Sequence, residues 1–123
     1  LFITLSPSNP DPMYKQVTDQ IKDAIALGDL RPNDRLPSVR EISEALKVSA
    51  ITIKRAYFDL ETEGFVVTRA GLGSFVAEVS REGLKKRKLD ELRVEMTRIV
   101  RTASKFGITR EDIVGMIRHV EES

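Results

Sequence analysis

Residues 36–76 read LPSVREISEALKVSAITIKRAYFDLETEGFVVTRAGLGSFV, and this stretch decides the fold. Ser38 stands three residues before Glu41, the spacing of a capping box, and opens a short helix whose apolar side is Val39, Ile42 and Leu46. Only Lys47 and Val48 separate Leu46 from Ser49, whose hydroxyl suits the N-cap of a further helix. That helix sets Ile53, Ala56, Tyr57 and Leu60 on one side and Ile51, Lys54, Arg55 and Phe58 on the other, and Gly64 ends it. Two β-rich runs follow, 65–69 and 74–79. The glycines of Ala70-Gly71-Leu72-Gly73 between them can supply the positive φ of a hairpin turn. Two helices at a tight turn with a hairpin directly behind predict a winged helix-turn-helix. The fold is then mostly α with a small β-hairpin wing, and such a fold sets one helix into the DNA major groove.

Working outward, residues 1–5 are a short apolar stretch expected to be extended if ordered, and a start at Leu1 in place of methionine fits a trimmed or partly disordered beginning. Pro7, Pro10 and Pro12 forbid a helix before residue 12. Met13, Val17, Ile21 and Ile25 then recur every four residues, one face of a helix that Gly28 stops. Arg31-Pro32-Asn33-Asp34 is a turn signal. Beyond Ser80 the pattern changes: Leu89, Leu92, Met96, Ile99, Ala103 and Phe106 are spaced 3, 4, 3, 4, 3, a heptad seam along a long helix. Gly107 breaks that helix. Thr109 and Asp112 have capping-box spacing before a last helix that carries Ile113, Met116, Ile117 and Val120. The division is therefore a DNA-binding winged helix-turn-helix over residues 1–79 and a helical dimerisation tail over 80–123.

The 123 residues carry a net charge of +1, which gives no argument for a polyanionic partner. Residues 1–79 hold nine basic and eleven acidic side chains, so any DNA contact must rest on local clustering and not on bulk charge. Cysteine is absent, which excludes disulfides and thiolate metal sites and suits a reducing, cytoplasmic setting. No apolar run reaches ten residues, so neither a membrane span nor a signal peptide is expected. His119 is the only histidine and has no ligand partners for a metal. Acid pairs such as Glu61/Glu63 and Glu121/Glu122 have no nucleophile, base or glycine-rich cradle beside them. No enzyme, metal or cofactor is expected.

The third helix of the chain reads as a recognition helix whose N-terminal residues reach base edges. Lys54 and Arg55 are its basic candidates, against the plainer reading of two solvated charges. Ile51 has no core to join: it either touches a thymine methyl or is a stray surface apolar residue. The Gly71-Leu72-Gly73 tip can enter a minor groove, with Arg69 beside it, or simply needs glycine for its turn. Lys85-Lys86-Arg87-Lys88 is either a solvated helix face or a phosphate contact in a bound dimer.

Pro12-Met13-Tyr14-Lys15-Gln16-Val17, Leu36-Pro37-Ser38-Val39-Arg40-Glu41, Ala56-Tyr57-Phe58-Asp59-Leu60-Glu61-Thr62-Glu63-Gly64-Phe65 and Gly71-Leu72-Gly73-Ser74-Phe75-Val76 resemble the GntR family of bacterial transcription regulators, over about residues 12 to 78. Only 44 residues follow Val79, which resembles the short YtrA-like branch with a two-helix dimerising tail. The resemblance implies DNA roles for Arg40, Ser49, Thr52 and Lys54, and for Arg69, Gly71 and Gly73 in the wing. Ala50 departs from other branches, where a basic side chain is common, so their base preference does not transfer. The metal-binding histidines of one large branch are missing as well.

The expected function is sequence-specific binding of a palindromic double-stranded DNA operator by a homodimer, as a repressor. Leu92, Met96, Ile99, Ala103 and Phe106 form the expected dimer seam. The alternative is a winged-helix protein-interaction module without DNA binding, which the acidic balance of residues 1–79 favours slightly. The tail has little room for an enclosed ligand pocket, usually roughly 300–1,000 Å³. A dimer interface is the place left for an unidentified small-molecule effector.

Overall fold

The computed structural model describes residues 3–78 and 81–123. Leu1 and Phe2, Val79 of the second expected strand and the expected boundary between residues 79 and 80 lie outside the described residues. The elements run α1 (Met13–Leu27), α2 (Val39–Leu46), α3 (Ala50–Thr62), β1 (Val66–Arg69), β2 (Gly73–Val76), α4 (Arg81–Lys105) and α5 (Arg110–Glu122). They fall into two compact units, residues 1–81 and 82–123.

In the first unit α1 starts directly after Pro12 and stops at Gly28, whose φ of 84° is left-handed and whose N–H bonds the Ile25 carbonyl. Val17, Ile21 and Ile25 are buried as the four-residue spacing predicts, but Met13 is half exposed, because it occupies the first turn at the edge of the core. Among the described residues the chain before α1 pairs with no strand. Glutamine side chains take that role: Gln20 accepts from the Thr4 N–H and donates to its carbonyl at 2.9 and 2.8 Å, and the buried Gln16 accepts from the Ser6 N–H at 3.0 Å.

Helix α2 begins where Ser38 Oγ accepts the Glu41 N–H at 3.0 Å, and ends on Lys47 in the left-handed region. Among its expected apolar residues Ile42 is buried, while Val39 and Leu46 are half-buried. Helix α3 packs against α1, α2 and β1, and Ile53, Ala56, Tyr57 and Leu60 all lie within that contact. It closes at Gly64 with the Phe65 N–H on the Leu60 carbonyl at 2.9 Å, a Schellman-type stop that aims the chain straight into β1. The strands are shorter than their β-rich runs and pair antiparallel with Val66 opposite Val76 and Arg69 opposite Gly73.

In the second unit α4 also ends on a Schellman-type bond, from the Ile108 N–H to the Ala103 carbonyl at 3.0 Å, with Gly107 at a φ of 68°. Phe106 therefore falls in the turn after Lys105 and not on the helical seam where the heptad spacing placed it. Thr109 and Asp112 form the expected reciprocal capping box at the start of α5. The Thr109 backbone N–H, with its hydroxyl second, holds the Asp112 carboxyl below its usual range. No helix among the described residues is long and apolar enough to cross a membrane.

The Tyr57 hydroxyl donates to the Pro37 carbonyl at 2.6 Å and ties α3 to the entry of α2. Burial, with the charge of Glu41 second, pushes this phenol above its ordinary value. The folded state thus holds the proton more tightly than the unfolded chain, which titrates near pH ~10. The stabilisation is complete below that pH and is lost as pH rises past it. Urea titrations should show Tyr57→Phe less stable by about 1–2 kcal/mol at neutral pH. The wild-type chain should lose that advantage from about pH 10 upward.

Candidate nucleic-acid interface

The N-terminal end of α3 is built by two hydroxyls. Ser49 Oγ accepts the Thr52 N–H at 3.3 Å, and the Ser49 and Thr52 hydroxyls share a hydrogen bond at 2.9 Å. Both residues are thereby fixed at the helix start, where unpaired N–H groups and the positive end of the helix dipole face outward. Behind them the outer face of α3 is uncovered: Ile51 is 80% exposed, Phe58 is 67% exposed, and Lys54 is exposed between them. Lys54 has no carboxylate partner among the described residues.

Arg55 differs from its neighbour Lys54. Its guanidinium carbon lies 3.7 Å from the centroid of the Tyr14 ring, so the head is stacked on α1 and does not project freely beside Lys54. Arg40, on α2, pairs with Glu44 at 3.1 Å, with both side chains well exposed. An exposed pair one helical turn apart contributes only a few tenths of a kcal/mol, roughly, so a phosphate can displace the glutamate readily.

The wing turns on a hydrogen bond from the Leu72 N–H to the Arg69 carbonyl at 2.9 Å, with Gly71 at a φ of 75° and Gly73 at 117°. Both angles are left-handed, so the turn requires glycine there. The wing is also broader than the hairpin legible in the sequence. Residues 33–36 add to the open edge of β2: Arg35 bridges Phe75, the Asn33 N–H bonds the Val76 carbonyl, and the Leu36 N–H bonds the Ser74 carbonyl, each bond 2.8 Å. The signal that could have shown this is Pro37, which biases Leu36 before it to extended backbone. Arg69 is tied into this sheet. Its Nη2 donates to Asn33 Oδ1 at 3.1 Å and its head lies 4.4 Å over the Phe75 ring, while Asn33 in turn donates to Glu78 at 3.0 Å.

The structure thus brings Arg40, Ser49, Ile51, Thr52, Lys54 and Arg55 together on the helix pair and Arg69, Gly71 and Gly73 on the wing, all in the first unit. In the second unit Leu92, Met96 and Ile99 are 42–48% exposed, Ala103 is buried, and Phe106 is 77% exposed in its turn. Among the described residues no His, Cys, Asp or Glu cluster could hold a metal ion.

Residues 13–76 match the family described as bacterial regulatory proteins, gntR family. The chain is 37% identical over 116 residues to the uncharacterized HTH-type transcriptional regulator YhcF of Bacillus subtilis, covering 90% of this chain and 91% of that protein. It is 28% identical over 118 residues to the HTH-type transcriptional repressor YtrA of the same organism, covering 96% and 91%. Among solved structures, AraR(DBD) in complex with an operator is similar at a TM-score of 0.55 and 32% identity, over 60% of this chain and 92% of that one.

The Ser49 cap generates a direct check of how α3 is set. Ser49→Ala leaves the Thr52 N–H and hydroxyl without their partner and should lower stability by about 1 kcal/mol in urea denaturation, against a few tenths for Ser49→Gly.

Proposed function

The chain belongs to the GntR family of bacterial regulatory proteins, whose members are DNA-binding transcription regulators, and from that premise we propose that it acts in the cytoplasm as a homodimeric repressor of a palindromic operator. The observation that carries the reading is the uncovered outer face of α3, with Ile51 and Lys54 exposed behind a helix start fixed by Ser49 and Thr52. In the unit that holds it, α3 has its other side committed to the core. The exposed side is left for the major groove, where Lys54 can donate to a guanine edge and Ile51 can meet a thymine methyl. Arg40 serves a phosphate on the flank, and the glycine turn of the wing reaches the minor groove. Arg55, stacked on Tyr14, takes a lesser part: it stiffens the helix and adds charge near the backbone.

The homodimer rests on α4. Leu92, Met96 and Ile99 remain more than two-fifths exposed at heptad spacing along one helix, an apolar stripe of the kind that a partner helix covers in a coiled coil. A two-fold pair along this stripe presents two identical recognition helices, which require two matching half-sites. Repression is supported by the name of the YtrA relative.

Selection of duplexes from a random library is the direct experiment. The expected consensus is a palindrome with half-site centres roughly 10–10.5 bp apart or a multiple of that. Lys54→Ala should weaken binding and change the preferred bases, whereas Arg40→Ala should weaken all sequences alike and flatten the salt dependence. Equal effects of both variants on every sequence would remove Lys54 as a base reader, and a consensus without paired half-sites would remove the symmetric dimer. Met96→Glu combined with Ile99→Glu should sediment as a monomer with weak operator affinity. A stable dimer in that variant would move the interface elsewhere.

A further inference from the structure

The wing carries two arginines in different situations. Arg69 is held by the Asn33 carboxamide and the Phe75 ring. Arg35 sits on the strand-like loop that bridges Phe75, is exposed, and among the described residues pairs with no carboxylate. Its side chain runs along the wing over Gly73: a Cβ placed on Gly73 would lie 3.2 Å from Arg35 Nε and 3.7 Å from Nη2. At Nε that is tighter than ordinary van der Waals contact, so a side chain at Gly73 would push the guanidinium aside by a few tenths of an ångström, and the glycine leaves it room next to the tip.

We propose that Arg35 is the wing's phosphate-binding side chain, seated by Gly73, and that it and not Arg69 grips the DNA backbone where the wing approaches. The proposal rests on the DNA-binding reading above and adds a residue to it. The physical argument is one of availability. Arg69 has one N–H committed to Asn33 and its face to the Phe75 ring, and these ties fix where its remaining donors can reach. Arg35 has no such tie to a carboxylate among the described residues, so its head can move to meet a phosphate. Its backbone is anchored by the Phe75 bridge and by the Leu36 N–H bond to Ser74, so the guanidinium is offered from a fixed base. A planar guanidinium with two donor edges suits a phosphate's geminal oxygens. Gly73 therefore has two physical duties: a φ of 117° that side chains rarely adopt, and clearance for Arg35.

The test uses the full chain and the duplex it selects from a random library, titrated across salt concentrations. Arg35→Ala should bind about tenfold more weakly at low salt. Its slope of log affinity on log salt should fall in magnitude by about 0.9 for each wing engaged, on selected and unrelated duplexes alike. Arg35→Lys should keep the slope. Urea denaturation of each variant separates folding from binding. Wild-type affinity and slope in Arg35→Ala would overturn the inference while leaving DNA binding intact, and so would an affinity loss with an unchanged slope. A wild-type chain that enriched no duplex at all would instead overturn the DNA-binding reading.

Discussion

Helix α3 has to be buried and exposed at once, and the first unit is arranged around that constraint. Ile53, Ala56, Tyr57 and Leu60 turn one side into the space between α1, α2 and β1. The Tyr57 hydroxyl then locks the helix to the Pro37 carbonyl, just where α2 is about to begin. A helix fixed along one edge by packing and by a part-buried hydrogen bond is held against rolling. Its other edge, with Ile51, Lys54 and Phe58, is therefore held outward without needing contacts of its own. Burying an equivalent apolar residue on that outer edge would contribute roughly 1.5–3 kcal/mol, so two large ones left in water forgo that gain. That exposed edge is the kind of surface a partner covers.

The wing follows from the same helix. Gly64 ends α3 with a bond from the Phe65 N–H back to Leu60, which sends the chain directly into β1 with no free loop. Val66 and Val76 then close the core beneath the hairpin. A two-stranded hairpin alone is marginal in water. Here the loop at residues 33–36 supplies further backbone bonds along the free edge of β2, so the wing is braced by the segment that also leads into α2. One short stretch of chain thus sets both the wing and the entry of the helix pair.

Charge contributes through placement, since the first unit carries more acids than bases. Several of its cations are already occupied: Lys22 pairs with Glu63 at 2.8 Å, Arg55 stacks on Tyr14, and Arg69 is held by Asn33. These contacts separate cations that serve the fold from those open to a polyanion. Lys54 and Arg35 are in the second group, and the exposed Arg40–Glu44 pair is weak enough to join them.

The sequence by itself determined the elements and their order. Local rules act over three or four residues, and they placed the Gly28, Gly64 and Gly107 stops, the Ser38, Ser49 and Thr109 caps, and the buried side of α3 where the structure has them. Motif resemblance likewise identified the family from residues that all lie within residues 12–78. Local rules also overran in places. The heptad count carried Phe106 onto α4, but the bond from Ile108 to Ala103 ends the helix one residue earlier. Contacts between segments distant in sequence were not legible. The bridge from Arg35 to Phe75 spans forty residues, and the glutamine clasp on the N-terminal stretch spans up to sixteen. Lys54 and Arg55 are adjacent and look equivalent as letters; only Tyr14, packed alongside from α1, makes one free and the other stacked. Which cation is available to a ligand depends on what surrounds it in space, and periodicity along the chain carries no record of that.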